Sequence, residues 1–204
     1  MIRIIDYKAG NAPSVLHAVS HLGYEAAFAR GPEDLENASH IILPGVGSAR
    51  ATMDSLCEMG IVKQLEQAVL QNRTPFLGIC VGLQILFQHS EEEDTACLGW
   101  IPGNVQKFDA NSVRVPQMGW NLVKLHESPI NARLEKHFYF VNSYRAIPTD
   151  PEDIWGAADY EGRFAAAVRH ENIYATQFHI EKSGPAGLAL LDGFLKNAKE
   201  ADKC

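Results

Sequence analysis

The sequence predicts an α/β fold with a mixed, mostly parallel central sheet flanked by helices. Three observations carry this. Through the first half, short apolar runs alternate with helically spaced apolar residues, the pattern of parallel strands joined by helical crossovers. In the second half, strand-like segments follow one another with only turn residues between them, which adds antiparallel strands to the sheet. The chain has 204 residues, 46% of them hydrophobic, enough for one domain over residues 1–204 with a sizeable core.

Residues 2–7 read as a buried first strand. A helix follows: Asn11 can cap it, Pro13 suits its first turn, Val15, Leu16, Val19 and Leu22 fall at helical spacing, and Gly23 ends it. Ile41-Ile42-Leu43 is the next strand, closed by Pro44-Gly45. Leu56, Ile61, Leu65 and Val69 predict helix to about residue 70, interrupted near Gly60. Phe76-Leu77-Gly78-Ile79 is a third buried strand, and residues 81–87 are apolar nearly all round, as in a buried helix. Strand signals then fall at 104–108, 121–125, 138–141, 155–159, 164–168 and 173–178, with turns such as Glu161-Gly162 between them. A last helix begins near Ser183 and Pro185 and carries Leu188, Leu191, Phe194, Leu195 and Ala198 on one face. The run Glu91-Glu92-Glu93-Asp94 reads as a solvated loop.

Eighteen basic against twenty-five acidic residues leave a net charge of −7, which argues against nucleic acid as a partner. No apolar run approaches the roughly 18 residues of a membrane span. The segment Met1 to Asp6 reaches a carboxylate before a signal-type apolar region can form, so a cytoplasmic protein is expected. Cys57, Cys80, Cys97 and Cys204 show no CxxC spacing and make no disulfide framework. His17 and His21 lie one helical turn apart without a third ligand, so no metal site is expected.

The sharpest local pattern is Gly78-Ile79-Cys80-Val81-Gly82 at a strand-to-helix junction, a nucleophile elbow with cysteine in the serine position. Glycines on both sides permit the tight turn, and a helix N-terminus favours the thiolate. The Val81 amide would point into the same site as an oxyanion donor. Taken alone, the pattern equally suits a buried structural cysteine between packing glycines. A base and its orienting group are offered by Gln177-Phe178-His179-Ile180-Glu181. On a strand His179 and Glu181 share a face, with Phe178 and Ile180 turned into the core; a chance pair at a strand end is the plainer reading. Leu43-Pro44-Gly45-Val46-Gly47-Ser48 is either a strand-ending turn or a loop whose amides face an oxyanion.

Together these motifs resemble the class I glutamine amidotransferases. The matching segments are Ile5-Asp6-Tyr7-Lys8-Ala9-Gly10-Asn11, Leu43 to Gly47, Gly78 to Gln84, Val115-Pro116-Gln117-Met118-Gly119-Trp120-Asn121, Tyr139-Phe140-Val141-Asn142-Ser143-Tyr144, and Gln177 to Ser183, in family order along nearly the whole chain. The segments around Trp120 and Phe140 resemble more closely the glutaminase subunits that serve a (β/α)8-barrel cyclase in histidine biosynthesis. The segment 116–121 argues against another triad glutaminase such as the pyridoxal phosphate synthase subunit. A γ-glutamyl peptide hydrolase of the same fold, or a scaffold without turnover, are further alternatives.

The resemblance implies a glutaminase that hydrolyses glutamine through a cysteine thioester and supplies ammonia to the cyclase for imidazole glycerol phosphate synthesis, with no metal or organic cofactor. It implies Cys80 as nucleophile, His179 as general acid and base, and Glu181 as its partner. The oxyanion hole would come from Val46, Gly47 and Val81, and glutamine contacts from Gly45, Gln84, Ser143 and Tyr144. Asn11, Met118, Trp120 and Lys182 match positions at the cyclase contact, in a heterodimer without nucleic acid or membrane. Three positions depart from the family pattern. Lys8 replaces a frequent glycine, so the loop there is expected to avoid a glycine-only conformation. Asn142 replaces a frequent histidine, and Ile180 a frequent proline between the catalytic pair.

Overall fold

A computed structural model describes residues 1–8 and 11–197, the side chain of the last excepted. Ala9, Gly10, Ala198 and Cys204 lie outside the described residues. Among the described residues thirteen strands form one sheet. Its centre is a parallel block, β1 (Ile2–Ile5), β2 (Ala26–Ala29), β3 (His40–Gly45), β4 (Phe76–Cys80) and, from far along the chain, β13 (Ile173–Thr176), in the order β2-β1-β3-β4-β13. Strands β3, β4 and β13 are buried throughout, as their unbroken apolar runs require.

Antiparallel strands extend this block. β12 (Arg163–His170) is a branch point: Ala165 pairs with Ala157 of β11 (Ile154–Asp159) and Ala146 of β10 (Tyr144–Pro148), while Ala167 pairs with Gly156 of β11 and Thr176 of β13. Through β10 the sheet continues to β7 (Gly103–Lys107), β5 (His89–Ser90) and β6 (Thr95–Ala96). Through β11 it reaches the long ribbon of β8 (Gln117–Leu125) and β9 (Leu134–Asn142), paired from Gln117–Asn142 to Leu125–Leu134.

Helix α1 (Ala12–His21) buries Val15 and Val19 and stops where Gly23 takes φ +85°. Asn11 occupies its N-cap but makes no side-chain cap. Helix α2 (Ala49–Glu58) is capped by the Ser48 hydroxyl, which accepts from the Ala51 amide, and Gly60 at φ +64° separates it from α3 (Val62–Glu66). α5 (Gly184–Asn197) buries Leu190, Leu191, Phe194 and Leu195 and packs beside α1. Among the described residues no helix is long and apolar enough to cross a membrane.

Several sequence expectations change. The helix expected over 81–87 is a single turn, α4 (Val81–Gln84); the apolar run stays buried but continues as tighter turns, Leu86 bonding back to Leu83 and Phe87 to Gln84. β2 was not expected, because Ala26-Ala27-Phe28-Ala29 carries little strand propensity and is ordered by pairing with β1. β5 and β6 are too short for any periodicity. β9 starts earlier than expected because Glu135, Lys136 and His137 are exposed ribbon residues held by β8. Lys8 does enter the left-handed region, at φ 65°, its amide donating to Asp6 Oδ1; a side chain there costs about 1–2 kcal/mol relative to glycine.

The core is one continuous cluster. Its part nearest the site is aromatic: the Phe178 ring stacks on Phe138 with centroids 4.2 Å apart and meets Phe140 edge-on at 5.7 Å. Phe178 is wholly buried and leads directly into His179. Phe178→Ala should destabilise the fold by about 3–5 kcal/mol in denaturant titration, with glutamine turnover lost in parallel; unchanged stability would show that this stack does not anchor the segment.

Candidate active site

β4 ends at Cys80, whose φ of 56° and ψ of −108° put a non-glycine residue in a sparsely populated conformation. The flanking glycines make the turn possible by removing side chains from backbone contacts. A Cβ on Gly78 would stand 2.5 Å from the Gly82 carbonyl, and one on Gly82 2.2 Å from the Leu43 carbonyl. Gly45, in register beside Cys80, would put its Cβ 2.5 Å from the Gly82 amide. Strand β3, the elbow and α4 therefore touch backbone to backbone. Because α4 is one turn, the field at Cys80 comes from the local amides of that turn rather than from a long helix macrodipole.

His179 and Glu181 come together, although not on a strand. β13 stops at Thr176, and His179 precedes a 3-10 turn, Ile180–Lys182. Ile180 is buried at the start of that turn, which forms without proline. Two bonds to β9 hold the segment. The His179 amide donates to the Tyr139 carbonyl at 2.9 Å. The Ser183 hydroxyl donates to the His179 carbonyl at 2.6 Å and accepts from the Tyr139 amide at 3.0 Å.

His179 Nδ1 lies 3.0 Å from Glu181 Oε1, with both side chains almost fully buried. This leaves Nε2, the other ring nitrogen, for Cys80. Asn11 adds a third group: its Nδ2 donates to the same Glu181 oxygen at 2.8 Å. Expected at a partner contact, Asn11 is 5% exposed and lies behind the His–Glu pair. Its carboxamide serves Glu181, which is why it does not cap α1.

Cys80, His179, Val46, Gly47, Val81, Gln84, Ser143 and Tyr144 line one cavity of about 330 Å³. Lys182 stands at its edge, exposed to solvent. Gln84 is buried, its Nε2 donating to Gln177 Oε1 at 3.1 Å and directed at the Tyr144 carbonyl at 3.5 Å. Asn142 also lines the cavity and turns its amide onto the Tyr144 carbonyl at 2.9 Å. Met118 and Trp120 lie outside it, 67% and 57% exposed on β8, which pairs with the residues of β9 that line the site. A larger cavity, about 660 Å³, opens near Lys124, Arg133 and Arg163 and contains none of the Cys80, His179 and Glu181 group. Among the described residues no group of three or more His, Cys, Asp or Glu side chains could hold a metal ion.

Among the charged lining residues, Glu92 escaped the sequence reading. The acidic run is not uniformly solvated: Glu92 turns into the cavity, and its Oε2 accepts from the Ala49 amide at 2.7 Å at the start of α2. Burial raises its pKa above the usual carboxylate value, against the effect of the Ala49 bond. Nothing in the composition of four successive acidic residues distinguishes it from its neighbours.

Burial alone would lower the His179 pKa, but the hydrogen bonds and charges of Cys80 and Glu181 outweigh it and raise it to about 9. Burial likewise opposes ionisation of Glu181, and His179 reverses that, lowering the carboxyl. Cys97, by contrast, is driven by burial and then by Glu92 up to about 11 and stays a thiol. The arrangement is a cysteine beside a buried imidazolium–carboxylate pair, suited to nucleophilic attack with proton transfer.

The family description "Glutamine amidotransferase class-I" matches residues 3–198. The chain is a class I glutamine amidotransferase. Among its relatives in this family, "Imidazole glycerol phosphate synthase subunit HisH 2" of Methanococcus maripaludis is 40% identical over 97% of this chain and 100% of its own. The subunit HisH of Dehalococcoides mccartyi is 43% identical over 97% of this chain and 98% of its own. A glutamine amidotransferase of solved structure shares the fold, with a TM-score of 0.76 at 20% identity over 97% of this chain and 98% of that one.

At neutral pH this amidotransferase should hold His179 as imidazolium and Glu181 as carboxylate. The folded-state value of His179 lies above its unfolded one, so its stabilisation is complete below about 6.5 and lost as pH rises through about 9. The contribution of Glu181, whose value is lowered, is instead lost as pH falls through the carboxylate range. An NMR titration of the His179 ring should give a midpoint near 9 that falls in Glu181→Gln; an ordinary midpoint in the parent protein contradicts the ion pair.

Proposed function

We propose that this chain is the glutaminase subunit of an imidazole glycerol phosphate synthase, that Cys80, His179 and Glu181 carry its chemistry, and that the whole of residues 1–204 forms one glutaminase domain. It hydrolyses glutamine and passes ammonia to a cyclase subunit in histidine biosynthesis. The observation that carries the residue assignments is the strained elbow, which presents Cys80 to a buried imidazole already paired with a carboxylate. A cytoplasmic location suits the free thiols of Cys57, Cys80 and Cys97, which form no disulfide among the described residues.

The steps follow from the groups present. With His179 already carrying the proton as imidazolium, the Cys80 thiolate attacks the γ-amide carbon of glutamine. The carbonyl oxygen becomes an oxyanion, held by backbone amides of Val46, Gly47 and Val81 along the cavity wall. Imidazolium returns the proton to the leaving nitrogen, the C–N bond breaks, and ammonia departs from a glutamyl thioester. His179 then takes a proton from water, hydroxide adds to the thioester carbon, and collapse expels the Cys80 thiolate and glutamate. Glu181 holds one tautomer of the ring and offsets its charge; Asn11 fixes the carboxylate.

Glutamine also presents an α-ammonium and an α-carboxylate. Glu92 is the acidic side chain in the lining, so it takes the ammonium; its Oε2 is held by Ala49, which leaves Oε1 to meet the substrate. Gln84 and the backbone of Ser143 and Tyr144 bound the rest of the amino-acid moiety. Lys182 at the cavity edge and the exposed Met118 and Trp120 form the side turned to the cyclase.

Cys80→Ala should abolish synthesis driven by glutamine while the cyclase complex still works with added ammonium salt; loss of both activities in a folded complex overturns the nucleophile assignment. A hydrogen bond to a charged group is worth about 1.5–3 kcal/mol, so Glu92→Gln should raise KM for glutamine roughly tenfold to a hundredfold with a smaller effect on kcat. An unchanged KM in steady-state assays removes Glu92 from substrate recognition.

A further inference from the structure

Beyond the triad, one buried polar side chain touches the sulfur. Gln177 follows directly on β13 and is fully buried. Its backbone amide donates to the Ala166 carbonyl at 2.8 Å, which fixes the main chain. Its carboxamide lies between Gln84 and Cys80, with Nε2 3.7 Å from Sγ, within reach of a hydrogen bond to sulfur.

The neighbours settle which end of that carboxamide faces the sulfur. The Tyr144 backbone carbonyl can only accept, so the end of Gln84 directed at it is the NH2. The same NH2 meets Gln177 at 3.1 Å, so the atom it meets is the Gln177 oxygen. The Gln177 NH2 is then the end that faces Sγ. Sulfur stands between opposing demands. The Val141 carbonyl, 3.8 Å away, accepts from S–H and favours the thiol. A donor from Gln177 favours the thiolate.

We propose that Gln177 is a catalytic residue whose side-chain amide donates to the Cys80 thiolate, and that Gln84 is the positioning residue that holds this amide in its donating orientation. The proposal rests on the reading of Cys80 as nucleophile. Gln177 transfers no proton: the proton that shuttles is the one on His179, and Gln177 keeps both of its own. The contact is strongest when sulfur carries charge, before attack and again when the second tetrahedral intermediate expels thiolate. It therefore acts on the nucleophile in the first half-reaction and on the leaving group in the second.

Two substitutions separate this role from packing. Gln177→Glu keeps the shape and can still accept from Gln84, but it turns an acceptor on the thiolate. Gln177→Met keeps the bulk and removes the donor. The readout is the rate of iodoacetamide alkylation at Cys80 against pH, followed in the full chain by mass spectrometry of the Cys80 peptide, since alkylation tracks the thiolate fraction. Both variants should move the curve to higher pH, Gln177→Glu by about one unit or more, which is roughly tenfold slower labelling at neutral pH. Gln84→Met, which frees the Gln177 amide to rotate, should give a smaller shift, and kcat should fall more than KM for glutamine rises in the Gln177 variants. Curves that superimpose on the parent in any of these proteins that folds, by circular dichroism and thermal melting, reduce Gln177 to a packing residue. Retained glutamine-dependent synthesis in Cys80→Ala would instead overturn the nucleophile reading, and the alkylation curves would still report whether Gln177 touches the sulfur.

Discussion

The close approach of β3, the elbow and α4 is the constraint on which the site depends. Backbone atoms meet where side chains ordinarily stand: Gly82 against the Leu43 carbonyl, Gly78 against Gly82, Gly45 against the Gly82 amide. That contact holds Cys80 at a positive φ, and so decides where the sulfur points. It also sets Val46 and Gly47, which leave β3 beside Cys80, against the same cavity as Val81. The segments that carry Cys80 and the proposed oxyanion donors are thus in direct backbone contact.

The other half of the site depends on polar anchoring rather than on glycine. The chain leaves β13 before His179, and strand geometry no longer dictates where the imidazole points. Phe178 stacked on Phe138, and Ser183 bridging His179 to Tyr139, do that work instead. The charges then stabilise each other: an imidazolium that burial disfavours is retained because sulfur and carboxylate face it from its two nitrogens. Asn11 adds a neutral donor to the same carboxylate oxygen, with no competing charge.

Much of this was legible in the sequence because local patterns encode it. The elbow needs glycine at two fixed positions, and a general base needs a carboxylate within reach, so Gly78, Cys80, Gly82, His179 and Glu181 stood out by spacing. Strands β1, β3 and β4 of the parallel block were legible too, as short apolar runs, whereas β2 and the parallel pairing of β13 were not. What escaped was set by tertiary contacts. Glu92 differs from Glu91 and Glu93 only in facing the start of α2. Asn11 read as a helix cap because that is what asparagine does when no buried carboxylate competes for it. The stretch 81–87 read as helix because apolar composition does not distinguish a helix from a succession of buried turns.

The pairing of β4 with β13 has a kinetic consequence. Phe76 lies beside Ile173 and Ile79 beside Thr176, a parallel match between segments almost half the chain apart. Loop closure on that scale is slow compared with forming local turns and hairpins, so this pairing belongs to the late steps of folding. Until β13 docks, Gln177, His179 and Glu181 are absent from the neighbourhood of the sulfur. A newly made chain thus surrounds Cys80 with these groups only as its architecture is completed.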